Sequence, residues 1–296
     1  MVFKPAPCPS RWEGLAVSLW IVLLDVMFLV WAVRREADAL KFVLFVLVMA
    51  SLPLLVHLLY RTWGAFTLEY WVDRNAVTVR WANARQLIPL PAIARIVHGR
   101  EYAQARGGWS EWPAPYLRSD AAPGDGRIQV LATLPPEACL WLDTQTTTFV
   151  LSPADPDAFQ AAVQERYAMG AAQRLAPQRQ RVAVLGRMAP SDRLGAWLLL
   201  GGMLGVLVLF GVVMISFTDL PDVLTVRYNS EGLPEEIREK AALFRLPIIG
   251  LLVWTANAAG GLWLNARKQP IGAYMLWAGA IVVEVFSLVA LVSLIT

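Results

Sequence analysis

Phe66 to Trp81 reads FTLEYWVDRNAVTVRW, and its alternation decides what the middle of this chain becomes. Phe66, Leu68, Tyr70 and Val72 take every second place, Asp73-Arg74-Asn75-Ala76 carries turn residues, and Val77, Val79 and Trp81 alternate again. A period of two on both sides of a polar turn is the pattern of a β-hairpin with one face buried. A third short strand, Gln86–Leu90, follows a turn at Asn83-Ala84-Arg85. The Gly-, Pro- and Trp-rich stretch 107–126 is too long and irregular for a tight connection. Strands are expected again at Arg127–Leu134, Ala138–Asp143 and Thr147–Leu151. A helix closes the segment. Asp155 suits its N-cap and Pro156 its first position, with Phe159, Val163 and Tyr167 recurring on one face. Strands followed by one helix suggest a small β-barrel plugged by that helix.

Outward from this segment the grammar changes. The chain is 57% hydrophobic, above the usual share of about 45–50%. The excess lies in runs of the length that crosses a bilayer, about 20 residues: Leu15–Val33, Phe42–Tyr60, Leu194–Phe217, Ala241–Leu264 and Ile271–Ile295. The first run exceeds the roughly 7–15 apolar residues of a signal peptide, and a second follows at once, so it reads as a permanent helix. The expected fold class is therefore an α-helical membrane protein with five transmembrane helices and an inserted α+β domain. Residues 1–62 form a transmembrane hairpin, 63–170 the soluble insert, 171–193 a basic linker, and 194–296 a three-span region with a folded loop at 218–240.

Charge orients the arrangement. The net charge is +3, but no acid occurs from Arg166 to Ser191, where Arg174, Arg179, Arg181 and Arg187 precede the third run. A juxtamembrane basic cluster is drawn to anionic headgroups, by about 1 kcal/mol per side chain near the surface. With the amino terminus inside, eleven basic residues flank the inner faces against seven on the outer ones. The positive-inside rule then places the amino terminus and the insert in the cytoplasm, and the loop 218–240 and the carboxyl terminus outside. Cys8 and Cys139 form no CxxC and read as unpaired thiols in a reducing compartment.

Two stretches carry family resemblances. YWVDRNAVTVRW, then RQLIPLPAIARIV, then TTTFVLSPADPDAFQAAV resemble the bacterial pleckstrin-homology-like domain of prokaryotic membrane proteins. The resemblance implies that fold and no reaction. Eukaryotic relatives bind phosphoinositides through basic residues near the first turn, which makes Arg74, Arg80 and Arg85, with the linker arginines, candidate headgroup contacts. LPDVLTVRYNSEGLPEEIREK, Leu220 to Lys240, resembles the extracytoplasmic signature of the SdpI-type immunity-protein membrane region. It keeps Leu220, Pro221, Asp222, Asn229, Gly232, Pro234 and Lys240, with Tyr228 as the aromatic. Arg227 stands where that family has His, so any titrating or metal-related role of the His is absent. The Asn229–Gly232 stretch suits a tight reversal. Pro234 with Glu235 and Glu236 favours a short helix start. Arg227, Tyr228, Asn229, Gly232, Pro234 and Lys240 are the candidate recognition residues of a folded outer cap.

Asp25 and Glu284 fall near the middle of the first and fifth runs, where ionisable groups are costly and point to function. Hydrogen bonds from Asn257 or Ser18 are the expected satisfaction, either as contacts between helices or as part of a proton or cation path. Gly201 and Gly205 form G-x-x-x-G in the third run, and Ala256, Ala258, Ala259, Gly260 and Gly261 thin the fourth, favouring close helix contact. Trp109, Trp112 and Tyr116 in the long loop suit the bilayer or a partner protein. No phosphate-binding glycine loop, HExxH or GxSxG occurs, and His57 and His98 are the only histidines. The expectation is a non-enzymatic protein without cofactor and without nucleic-acid binding, touching the lipid bilayer and a protein partner or a second copy. Its role would be scaffolding or envelope signalling. The alternative is proton- or cation-coupled transport, or toxin immunity, using the intramembrane carboxyls.

Overall fold

The computed structural model describes residues 1–99, 111–114, 116–121, 127–170, 173, 178–181, 192–228 and 234–295. These divide into two compact units, 1–23 with 52–183 and 24–51 with 184–296. Among the described residues five helices are long and apolar enough to cross a membrane: α1 (Ser10–Arg34), α2 (Ala39–Phe66), α4 (Arg193–Ser216), α5 (Arg245–Ala266) and α6 (Pro270–Ile295), while α3 is the short helix Pro156–Ala168.

The first unit holds two five-stranded sheets. One takes the order β1-β2-β3-β4-β10 from Val2–Phe3, Glu69–Val72, Ala76–Trp81, Ala84–Pro89 and Gln178–Arg181. The other takes β5-β8-β9-β7-β6 from Ile93–His98, Leu140–Thr144, Thr147–Leu151, Arg127–Leu131 and Leu117–Ala121. The expected hairpin is β2–β3, with Tyr70 opposite Val79 and Val72 opposite Val77. Its inward residues join Ile88, Leu142, Phe149, Leu151 and Phe159 in one core.

The barrel is not closed. The outer edges of β2 and β4 are covered by β1 and β10, so chain segments cap the sheet where a barrel would join its edges. Strand β10 lies in the stretch read as a basic linker. Strand β5 carries no clean alternation and is bulged at Ile93–Arg95, which hid it from a period-two reading. Strand β6 lies inside the stretch expected to be irregular.

Helix α3 begins as expected, with Asp155 accepting from the Ala158 N–H at 2.9 Å and Pro156 at its first position. Phe159 and Val163 are buried, but Tyr167 is 60% exposed. At 3.6 residues per turn a spacing of four drifts about 40° per step, and two steps carry Tyr167 off the buried face.

In the second unit α4, α5 and α6 pack together. Gly202, Gly250, Ala258, Gly261, Ala273 and Ala280 lie in their buried seams, the small residues that let apolar helices approach. Between α4 and α5 the chain forms a hairpin of β11 (Val223–Tyr228) and β12 (Pro234–Glu239). The helix start expected at Pro234 is therefore a strand, because residues 234–239 pair with β11. A 3₁₀ turn follows only at Lys240–Phe244. Leu220 and Leu224 pack onto Leu209, Val213, Leu243 and Leu291, which seats the hairpin on that end of the bundle.

Candidate functional site

The amino-terminal segment is built into the first unit. β1 pairs with β2, Pro5 bridges Pro153, the Ala6 N–H donates to Ser152 O at 2.8 Å, and the Ala154 N–H donates to Lys4 O at 2.9 Å. A buried polar seam locks it. Thr133 Oγ1 donates to Ala6 O at 2.7 Å, the Thr133 N–H donates to Ser152 Oγ at 2.8 Å, and the Ser152 N–H donates to the Tyr70 hydroxyl at 3.1 Å. Tyr70 in turn donates to Leu131 O at 2.8 Å. Burial pushes the Tyr70 phenol above its ordinary range. Nothing in the Met1–Cys8 sequence announces a strand; it is too short to show a period.

Arg61 near the end of α2 donates to the carbonyls of Glu111, Ala114 and Leu117, clamping the described part of the long loop against the helix. Tyr116 is half-buried against the cluster of Val130, Trp141 and Val150, so it is no free bilayer contact. Trp112 is likewise half-buried, and Trp109 lies outside the described residues.

The candidate headgroup residues separate. Arg74, in the β2–β3 turn, donates to Gly170 O at 3.1 Å and Met169 O at 3.4 Å, so it caps the carboxyl end of α3. Arg80 and Arg85 are exposed and stand directly opposite each other on β3 and β4. Arg80 lies over the Trp71 ring at 5.6 Å, and the Trp71 indole donates to Glu69 Oε2 at 3.0 Å. Val2, opposite Trp71, extends this outward face. Arg179 and Arg181 pair through β10 with Gln86 and Ala84, their side chains lying outside the description, as do Arg174 and Arg187 altogether.

This arrangement has a hairpin opening the first sheet, a crossover at Pro89–Ala92 into a second sheet, and a closing helix whose Phe159 enters the shared core. Residues 68–167 match the family model for a bacterial PH domain. No curated protein and no solved structure matches the chain. The matched stretch thus lies within a larger first unit, whose sheet takes strands from before and after the matched residues.

The intramembrane polar residues have other neighbours than expected. Asp25 is buried with both its oxygens 2.8 Å from Ser51 Oγ of α2, whose single proton also has Val48 O within reach at 2.7 Å, while Ser18 donates to Gly14 O of its own helix. Asn257 is half-buried on α5 and donates to neither carboxyl among the described residues. Glu284 lies against α4 at Gly202 and Gly205, the second being one of the two glycines of the G-x-x-x-G pair.

At the hairpin, Arg227 and Tyr228 fall on β11 and Pro234 on β12, their side chains outside the description, while Asn229 and Gly232 lie outside the described residues. Lys240 pairs with Asp222 at 3.0 Å and lies 5.0 Å from the Phe217 ring centre. Beside it a cavity of about 180 Å³ is lined by Leu224, Arg238, Arg245, Leu246 and Leu294 among others.

Proposed function

We propose that this chain is a non-enzymatic scaffold of a bacterial cytoplasmic membrane, whose PH domain holds a protein partner at the inner face. The observation that carries this reading is the outward row of Trp71, Arg80 and Arg85. Like charges directly opposite in a sheet cost stability, a cost that an acidic partner surface would offset, and an exposed Trp beside Arg is the composition of an interface anchor. The test is purification in mild detergent of wild type and of a Trp71→Ala, Arg80→Ala double variant. A stoichiometric protein retained by wild type and lost by the variant supports the reading. Identical partners for both would sink it, and a defect confined to sedimentation with anionic vesicles would move the face to lipid.

The orientation belongs to the same proposal. β1 and the PH domain share one sheet, so they occupy one side, and the basic flanks favour the cytoplasm. On a Cys8→Ser background, an impermeant thiol reagent applied to intact spheroplasts should label Asp219→Cys and spare Ala158→Cys. Both positions are exposed. The reverse pattern would put the PH domain outside. We read the region 194–296, with its spaced Leu220-Pro221-Asp222, Pro234 and Lys240, as related to the SdpI-type immunity region, with the hairpin as an extracytoplasmic contact.

A second reading, proton- or cation-coupled transport or toxin immunity, is favoured by one observation: Glu284 is buried, and neither carboxyl oxygen has a hydrogen-bond partner among the described residues. Proton flux in reconstituted vesicles that vanishes in Glu284→Gln would support it.

A further inference from the structure

Glu284 sits near the middle of α6 with 3% of its surface exposed. Its carboxyl rests in a seat that glycine leaves open on α4. A Cβ on Gly205 would collide with Glu284 Oε2, and one on Gly202 would stand 2.6 Å from the Trp254 ring and 3.6 Å from Glu284 Oε1. The indole that shares this seat is committed to a helix carbonyl, Trp254 Nε1 donating to Leu199 O at 3.2 Å. Nor is there a counter-charge within the length of these helices, since Arg193 and Arg245 are the first residues of α4 and α5. Between Leu194 and Phe217 no ionisable residue occurs, between Leu246 and Ala266 none occurs, and the other ionisable side chain of α6 is Tyr274 in its first turn. Asp25, by contrast, has the Ser51 hydroxyl.

We propose that Glu284 is a proton-binding site within the three-helix bundle. A carboxylate buried without donor or counter-ion is costly, whereas the neutral acid fits an apolar seat between small residues. The ligand is a proton because a hard metal cation needs several oxygen ligands. No group of three Asp, Glu, His or Cys side chains that could hold an ion forms among the described residues. A proton needs one carboxyl oxygen. Its release leaves a charge facing Gly205 with no donor, so release is linked to a change in the α4–α6 contact. The site deepens the transport reading and rests on it only for movement of protons across the membrane; the binding itself rests on the seat.

The test is infrared difference spectroscopy of the full chain in lipid vesicles across a pH titration. Wild type should show the C=O band of a protonated carboxyl at neutral pH, lost as the pH rises. That band should disappear in Glu284→Gln, which keeps the side chain's shape, and persist in Asp25→Asn. Carbon-13 labelling of glutamate in the wild-type chain should shift the same band, so the assignment stands even if the Gln variant folds poorly. A band unmoved by glutamate labelling, or retained in a folded Glu284→Gln, overturns the site. Loss of the band on adding sodium chloride at fixed pH would convert it to a metal-cation site and overturn the proton assignment. Absence of proton flux from vesicles in which the band is present would retire the transport reading and leave the binding site standing.

Discussion

Single residues in the first unit carry more than their sequence context suggests. Tyr70 opens a hairpin, yet its hydroxyl joins Leu131 and Ser152 and, through Ser152 and Thr133, the amino-terminal segment. Removing that hydroxyl leaves a buried N–H and a buried carbonyl without their partner, at a cost of about 1–3 kcal/mol. Tyr70→Phe should therefore lower the thermal midpoint of the purified protein, followed by tryptophan fluorescence; an unchanged midpoint would mean that the seam contributes nothing. The two cysteines differ in the same local way. Cys139 is buried, its thiol donates to Pro135 O at 3.1 Å, and burial pushes its pKa up to about 12. Cys8 is half-exposed beside Ser10 Oγ at 2.8 Å. The thiolate is the reactive form, so a maleimide should modify Cys8 in the folded protein and reach Cys139 only after denaturation. Labelling of Cys139 in the native state would contradict the packing.

Among the elements, the α1–α2 connection depends on one acid. Asp38 accepts from the Lys41 N–H at 2.7 Å and pairs with Arg35 at 2.7 Å, which holds its carboxyl below the ordinary range. The sign follows: a folded-state pKa below the unfolded one adds stability above the unfolded value, about 3.9, and that stability is lost as pH falls through the folded value. Asp38→Ala should melt below wild type at neutral pH. The gap should close in acid beneath the ordinary carboxylate range; a gap independent of pH would show that the cap is not electrostatic. Asp192 at the start of α4 follows the same logic, with Tyr274 and the Gly195 N–H holding its carboxyl low.

At the scale of the molecule, the first unit closes across its membrane hairpin. The Trp12 and Phe66 rings meet edge to face at 5.2 Å, and Gly14 approaches Thr62. The strand before α1 and the strand after α2 belong to one sheet. Residues 13–63 can then be replaced by a short Gly/Ser linker. The resulting chain, 1–12 joined to 64–183, should be soluble and melt cooperatively, at a higher temperature than 64–183 alone. That shorter piece exposes the edge of β2 and loses the Ala6 partner of Ser152 and Thr133. Equal melting temperatures for the two polypeptides would refute the role of β1.

What the sequence by itself determined were the features with a strong local signal. Apolar runs of bilayer length became α1, α2, α4, α5 and α6, because length and hydropathy alone select them. The alternation at Leu68–Trp81 became β2–β3, and Asp155-Pro156 started α3. Tertiary structure alone decided the rest. β1 and β10 are two and four residues long and have no period to read; they are strands because edges of β2 and β4 needed partners. β12 abandoned the helical preference of Pro234-Glu235-Glu236 for the same reason, with β11 alongside. Arg74 meets the carboxyl end of α3, 95 positions away in sequence, only because the fold brings the two together. Glu284 and Gly205 are 79 positions apart in sequence, and only the packing of α4 against α6 makes a carboxyl and a glycine into one seat.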